Sequence, residues 1–240
     1  TPHFRGRQGE LARLEAFVED PTAQGCVLIG LPGIGKTALA TQWVGGLRGR
    51  VHILWRRVRT ETTHRDVLQD LAGMLRGAGR PALSDLLLRP PDVGPEMSLD
   101  LLIRDTSELS SILILDDSHV AAPEVASFLR RLPVVLPKKS GLKLLLITRE
   151  RLRFCNPADF ALGRLWELEL DNLPHADAEA VLTSLGIERP RREEILELCG
   201  GHPLSLELAA SRGVSLEGAR RVSAERLTQE ILSHLDPSHR

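Results

Sequence analysis

The run Gly30-Leu31-Pro32-Gly33-Ile34-Gly35-Lys36-Thr37 satisfies the pattern G-x-x-x-x-G-K-S/T at every fixed position. Residue types at this spacing suit phosphate binding. The glycines let the backbone wrap phosphate oxygens, and a helix N-terminus adds free N–H groups and partial positive charge. In that reading Lys36 reaches the β- and γ-phosphates and the Thr37 hydroxyl ligates Mg²⁺. The pattern assigns Gly30, Gly33, Ile34, Gly35, Lys36, Thr37 and Ala38 to nucleotide binding. A second signal is Ile112-Leu113-Ile114-Leu115-Asp116-Asp117, four apolar residues ending in two carboxylates. In an open α/β sheet, ligands bind beyond such a strand end. Asp116 is the candidate for the Mg²⁺ shell, and Asp117 for the base that orients or deprotonates a water. The plain alternative is that both carboxylates cap the next element. Leu144-Leu145-Leu146-Ile147-Thr148-Arg149 repeats the arrangement. Arg149 at that edge is the candidate reader of the terminal phosphate, distinguishing ATP from ADP.

These groups need elements to position them. Residues 26–29 are a short apolar run, as in a buried parallel strand, and 38–44 read as a helix. Strand, glycine turn and helix are the context that makes the first pattern a site. Further strands are expected at 51–58, 112–115, 142–147 and 165–170. Val51, Ile53, Trp55 and Val58 are expected on one side of the second. Helices are expected at 10–17, 66–75, 99–109 and 125–132, and residues 77–95 as a surface excursion with a helical turn near Leu86. Alternation of strands and helices predicts an α/β fold. After residue 172 the pattern turns helical at 176–185, 191–198 and 204–210. Pro190 sits near one helix start, and Gly186 and Gly200 near helix ends.

Composition narrows the classes. Hydrophobic residues at 42% and charged residues at 26% fit an ordinary globular chain of one large domain or two small ones. No apolar run approaches a membrane span. A formal net charge of −1 argues against nucleic-acid binding by this segment itself. Cys26, Cys155 and Cys199 fit neither a disulfide framework nor a metal spacing, which points to a reducing cytoplasm. The chain starts at Thr1 with no signal-peptide pattern and reads as a piece of a longer protein. A GTPase would carry N-K-x-D, and Asn156-Pro157-Ala158-Asp159 lacks the Lys.

Taken together, the motifs resemble the STAND class of signal-transduction ATPases, which includes the NB-ARC and NACHT groups. Phe4-Arg5-Gly6-Arg7 is similar to the class's N-terminal segment, whose backbone lies against adenine. Thr148-Arg149 resembles its Thr-Arg sensor. Gly201-His202-Pro203-Leu204 resembles its Gly-x-Pro motif, in which the proline, here Pro203, packs on adenine. Ile147 stands where NB-ARC members often carry a second Thr, and His202 where they usually carry Leu; both departures point to a bacterial type. The resemblance implies a three-layer P-loop NTPase domain of ASCE/AAA+ type over residues 1–172, with a five-stranded, mostly parallel sheet. A helical subdomain would follow over 173–225, and 226–240 would begin a winged-helix domain or linker. It implies an ATP/ADP switch with Mg²⁺-dependent hydrolysis, self-association in the ATP state, and winged-helix, sensor and effector domains as partners in a larger regulator. The alternative is a nucleotide-locked assembly module with negligible hydrolysis.

Overall fold

The structure, a computed structural model, describes residues 4–88, 95–137 and 140–212. The elements run α1 (Gln8–Glu19), β1 (Gly25–Gly30), α2 (Lys36–Gly46), β2 (His52–Arg57), α3 (His64–Gly77), α4 (Ala82–Leu87) and α5 (Pro95–Thr106). Then follow β3 (Ser111–Asp116), a 3₁₀ turn (Ser118–Val120), α6 (Pro123–Val135), β4 (Leu142–Thr148), α7 (Pro157–Ala161) and β5 (Leu165–Leu170). The helices α8 (His175–Ser184), α9 (Arg189–Cys199) and α10 (Pro203–Arg212) complete the described chain. The part of the expected helical subdomain beyond residue 212, and the winged-helix start or linker expected over 226–240, lie outside the described residues.

The strands form one five-stranded parallel sheet in the order β2-β3-β4-β1-β5. Burial follows position in that order. Every residue of the inner strands β1 and β4 is buried, whereas the edge strand β2 is half-exposed throughout. Inner strands of a parallel sheet are covered on both faces, so their sequences are continuously apolar. Val27 and Ile29 of β1, Leu113 and Leu115 of β3, and Leu144 and Leu146 of β4 share one side. They pack with α3 through Leu71 and Leu75, α5 through Leu102, and α6 through Leu129 and Leu132. Val58 belongs to this cluster together with Leu54, not with Trp55, which corrects its expected side. The period of two explains it: Leu54 and Val58 have the same parity.

Local signals set the ends of the helices. Thr63 caps α3: its hydroxyl accepts from the Asp66 N–H at 3.1 Å, and the Thr63 N–H donates to Asp66 Oδ2 at 2.8 Å. Such a box contributes roughly 1 kcal/mol. Gly200 ends α9 at φ +56°, in the left-handed conformation that suits a glycine cap. Two elements differ from the sequence expectation. Helix α5 starts at Pro95 and stops at Thr106, not 99–109. Helix α7 was not foreseen, although Asn156 caps it by accepting from the Ala158 N–H at 3.0 Å and Pro157 opens it.

The described chain forms two compact units. One comprises residues 10–30 and 43–169 and carries nearly all of the sheet. The other comprises residues 4–9, 31–42 and 170–212, so the N-terminal segment and the phosphate loop cluster with the helical segment. Its core joins Leu173, just before α8, with Ala178 and Leu182 of α8, Ile195 and Cys199 of α9, and Leu206 of α10.

Candidate functional site

In the helical unit the glycine-rich loop leaves β1 and runs into α2. Gly33 and Gly35 stand at φ +77° and +99°, values that only glycine adopts at low cost. Their surroundings differ. A Cβ on Gly35 would meet nothing within 4 Å, whereas one on Gly33 would lie 2.8 Å from the Leu204 Cβ. Gly35 therefore leaves the loop open on its inner side, and Gly33 lets α10 approach. The Lys36 ammonium donates to the Leu31 carbonyl at 2.9 Å, across the arch of the loop.

The N-terminal segment meets this loop. Arg7 is buried at φ +62°, and its guanidinium donates to the carbonyls of Ile34 at 3.3 Å and Asp171 at 2.5 Å. One side chain thus joins the segment before α1, the phosphate loop and the chain entering α8. Gly6 stands at φ +71°, a backbone conformation that favours glycine, and a Cβ there would lie 2.9 Å from the Asp177 Cβ.

A cavity of about 310 Å³ opens in this unit. Phe4, Arg5 and Arg7 line it from the N-terminal segment, and Gly33, Ile34, Gly35, Lys36, Thr37 and Ala38 from the loop and α2. Pro203 lines it from α10. Ten of the residues singled out from the sequence thus meet around one cavity, while Gly6 and Gly30 lie outside its lining. Leu173, Val181, Leu204 and Glu207 also line it and were missed. Only Leu204 stood in a recognised motif; the others have no local signature. The volume is at the lower end of the range for small-molecule sites. Its lining combines the glycine-rich loop, Lys36 and Thr37 with the apolar residues Leu173, Val181 and Pro203. Those chemistries match phosphates and a flat base.

In the sheet unit, Asp116 ends β3 in register with Arg57 of β2. Its Oδ1 accepts from the Asp117 N–H at 3.0 Å. Asp117 is left-handed at φ +59°, a conformation uncommon for a residue with a side chain. Its carboxylate accepts from Arg57 Nε at 2.8 Å and lies 4.0 Å from Arg149 Nε. Arg149 follows Thr148, whose buried hydroxyl donates to the Glu150 carbonyl at 2.7 Å and shapes the turn after β4. The structure therefore brings Asp117 and Arg149 together and adds Arg57. Nothing in the sequence marked Arg57, because which strand lies beside the carboxylate strand is set by the sheet order.

The three thiols are free, and burial pushes Cys26 and Cys155 up to about 12 and Cys199 up to about 11. They are unreactive near neutral pH. Among the described residues, no group of three or more His, Cys, Asp and Glu side chains can hold a metal alone. Magnesium is ordinarily held by one or two protein groups together with phosphates, and Thr37 and Asp116 supply the right donor chemistry. Among the described residues, no helix is long and apolar enough to cross a membrane.

Residues 3–147, more than half of the chain, match the family model described as an AAA ATPase domain. No curated protein matches the chain. Among solved structures the fold is similar to a Signal Transduction ATPase with Numerous Domains (STAND) protein with a tetratricopeptide repeat sensor, from Pyrococcus horikoshii. That match has 23% identity and a TM-score of 0.65, and covers 91% of this chain but 32% of the other. It is also similar to Cdc6p from Pyrobaculum aerophilum, at 15% identity and TM-score 0.62, covering 90% of this chain and 62% of that one. A third is the Aeropyrum pernix ORC1 protein in complex with DNA, at 18% identity and TM-score 0.52, covering 91% and 65%. The chain thus spans a third to two thirds of the length of these proteins.

Proposed function

The chain belongs to the AAA ATPase domain family, and from that premise we propose that it is an ATP/ADP-binding switch with slow Mg²⁺-dependent hydrolysis. Family membership implies nucleotide binding and hydrolysis; the switch is our reading. One observation carries it: the phosphate loop, the N-terminal segment and Pro203 of α10 line a single cavity. A nucleotide there touches a helical segment that a purely metabolic site has no need of, so its third phosphate can alter how α10 is held.

In this reading the Gly33–Gly35 backbone and Lys36 hold the phosphates, and Phe4, Arg5 and Pro203 flank the base. Thr37 and Asp116 would hold Mg²⁺, which when bound neutralises charge on the phosphate oxygens. Asp117 orients the attacking water and accepts its proton, and Arg149 engages the terminal phosphate. Lys36→Ala tests the site by titration calorimetry. ATP affinity should fall by at least about tenfold, the effect of losing one charge-assisted contact. Unchanged affinity would overturn the assignment. Phosphate release should be lost in Asp117→Ala with ADP affinity retained.

A second reading, a nucleotide-locked assembly module with negligible hydrolysis, is favoured by the two arginines that engage Asp117. Equal phosphate release from the parent and Asp117→Ala proteins would select it. In either case we propose self-association in the ATP state within a larger regulator, cytoplasmic in location. The expectation that this segment does not bind nucleic acid draws no support from a fold shared with a DNA-bound ORC1 protein. A duplex-DNA titration at two salt concentrations decides it, because phosphate-backbone binding weakens steeply with salt.

A further inference from the structure

His202 precedes α10 and is buried. Both of its ring nitrogens are engaged. Nε2 lies 3.1 Å from the Pro32 carbonyl of the phosphate loop. A carbonyl only accepts, so Nε2 carries the proton, and in the neutral ring Nδ1 is then an acceptor. Nδ1 faces the Ser205 N–H at 3.4 Å and the Ser205 hydroxyl at 3.2 Å. Ser205 lies in the first turn of α10, where capping side chains accept from the backbone. The same ring therefore caps α10 with one nitrogen and holds the loop with the other. A backbone bond runs alongside it, from the Leu204 N–H to the Gly33 carbonyl at 3.3 Å. Gly33 has no side chain to obstruct this approach: a Cβ there would lie 3.0 Å from His202 Cε1.

We propose that His202 is a positioning residue that ties the phosphate loop to the first turn of α10, so that loop geometry and helix docking are set together. The proposal rests on the nucleotide-switch reading for its consequence, since a loop reshaped by phosphate would then pull on α10 through this ring. It does not need that reading for the clasp itself. An apolar residue at 202 could fill the space but could make neither bond.

Two variants separate the two nitrogens. His202→Asn places an oxygen near Nδ1, where Asn is a favoured cap, but cannot reach Pro32. His202→Gln extends an amide N–H towards Pro32 but gives up the cap. Both are read in the 240-residue chain by hydrogen exchange without nucleotide and by calorimetry with ATP and with ADP. In His202→Asn the first turn of α10 should keep its protection. Amides of residues 33–35 should exchange faster and ATP affinity should fall about tenfold, as for an unsatisfied buried acceptor. In His202→Gln the loop amides and affinity should stay within about twofold, and the Ser205 amide should exchange about tenfold faster. A residue with a merely space-filling role would give both variants the same profile, and that result would overturn the proposal. Loop exchange and affinity unchanged in His202→Asn would overturn it as well. If the parent chain binds no nucleotide, the switch reading falls, while loop exchange in the nucleotide-free variants still decides the role of His202.

Discussion

Gly33 and Gly35 show what single residues do here: both have a positive φ, but they differ in what surrounds them. Alanine at either position strains the backbone by about 1 kcal/mol, so both substitutions should weaken ATP binding in a fluorescence titration. Only Gly33→Ala should also speed exchange in the first turn of α10, because its Cβ meets Leu204 and Gly35→Ala's meets nothing. Equal effects on α10 would contradict the packing. Arg57 is the other residue to test. It pairs with Asp117 but is 70% exposed, and a pair so open to solvent is worth up to about 1 kcal/mol. Arg57→Ala should therefore raise phosphate release by no more than about fivefold, provided the pair restrains Asp117. A fall in rate would place Arg57 among the groups that help the reaction. The glycine pattern was legible in the sequence, but the difference between its two glycines was not, because it depends on a helix some 170 positions later in the chain.

At the scale of elements, α10 is held at its N-terminus by a histidine that must stay neutral. Burial is the main cause that holds His202 below its ordinary value; the Pro32 bond opposes it, and the nearby Lys36 ammonium adds to it. The sign follows from linkage. The unfolded chain takes up this proton near the ordinary histidine value of about 6.5, the folded chain only at lower pH. The contribution is therefore complete above the ordinary value and declines as pH falls from there through the lowered one. Thermal unfolding followed between pH 7.5 and 5 should show a steeper loss for the parent chain than for His202→Gln. Parallel curves would remove the histidine from the account. Strands and most helices were readable from periodicity. The short α7 is not, because five residues carry less than two turns of periodicity and its only local sign is the Asn156-Pro157 start. The edge strand β2 was read with the wrong side for Val58 because one residue of offset reverses a strand's facing.

At the scale of the molecule, a ligand that binds only the folded chain stabilises it by mass action, by about 2.7 kcal/mol at a hundred times its Kd. Saturating ATP with Mg²⁺ should thus raise the unfolding temperature, and Lys36→Ala should cut the rise by about half or more, as a tenfold weaker affinity requires. A rise of equal size in the variant would place the nucleotide elsewhere. The sequence by itself determined the α/β class, the sheet strands and the phosphate loop, because these rest on short-range rules: apolar runs, glycine conformation and residue spacing. It also marked the family, through motifs kept in order along the chain. What only the tertiary structure decided is which residues share a surface. Arg7, from the segment before α1, donates to carbonyls from two distant parts of the chain, Leu173 and Glu207 reach the same cavity as Gly35, and Arg57 meets Asp117 across neighbouring strands. None of these pairings has a local signature, since each depends on strand order and helix docking, which bring together residues that spacing along the chain keeps far apart.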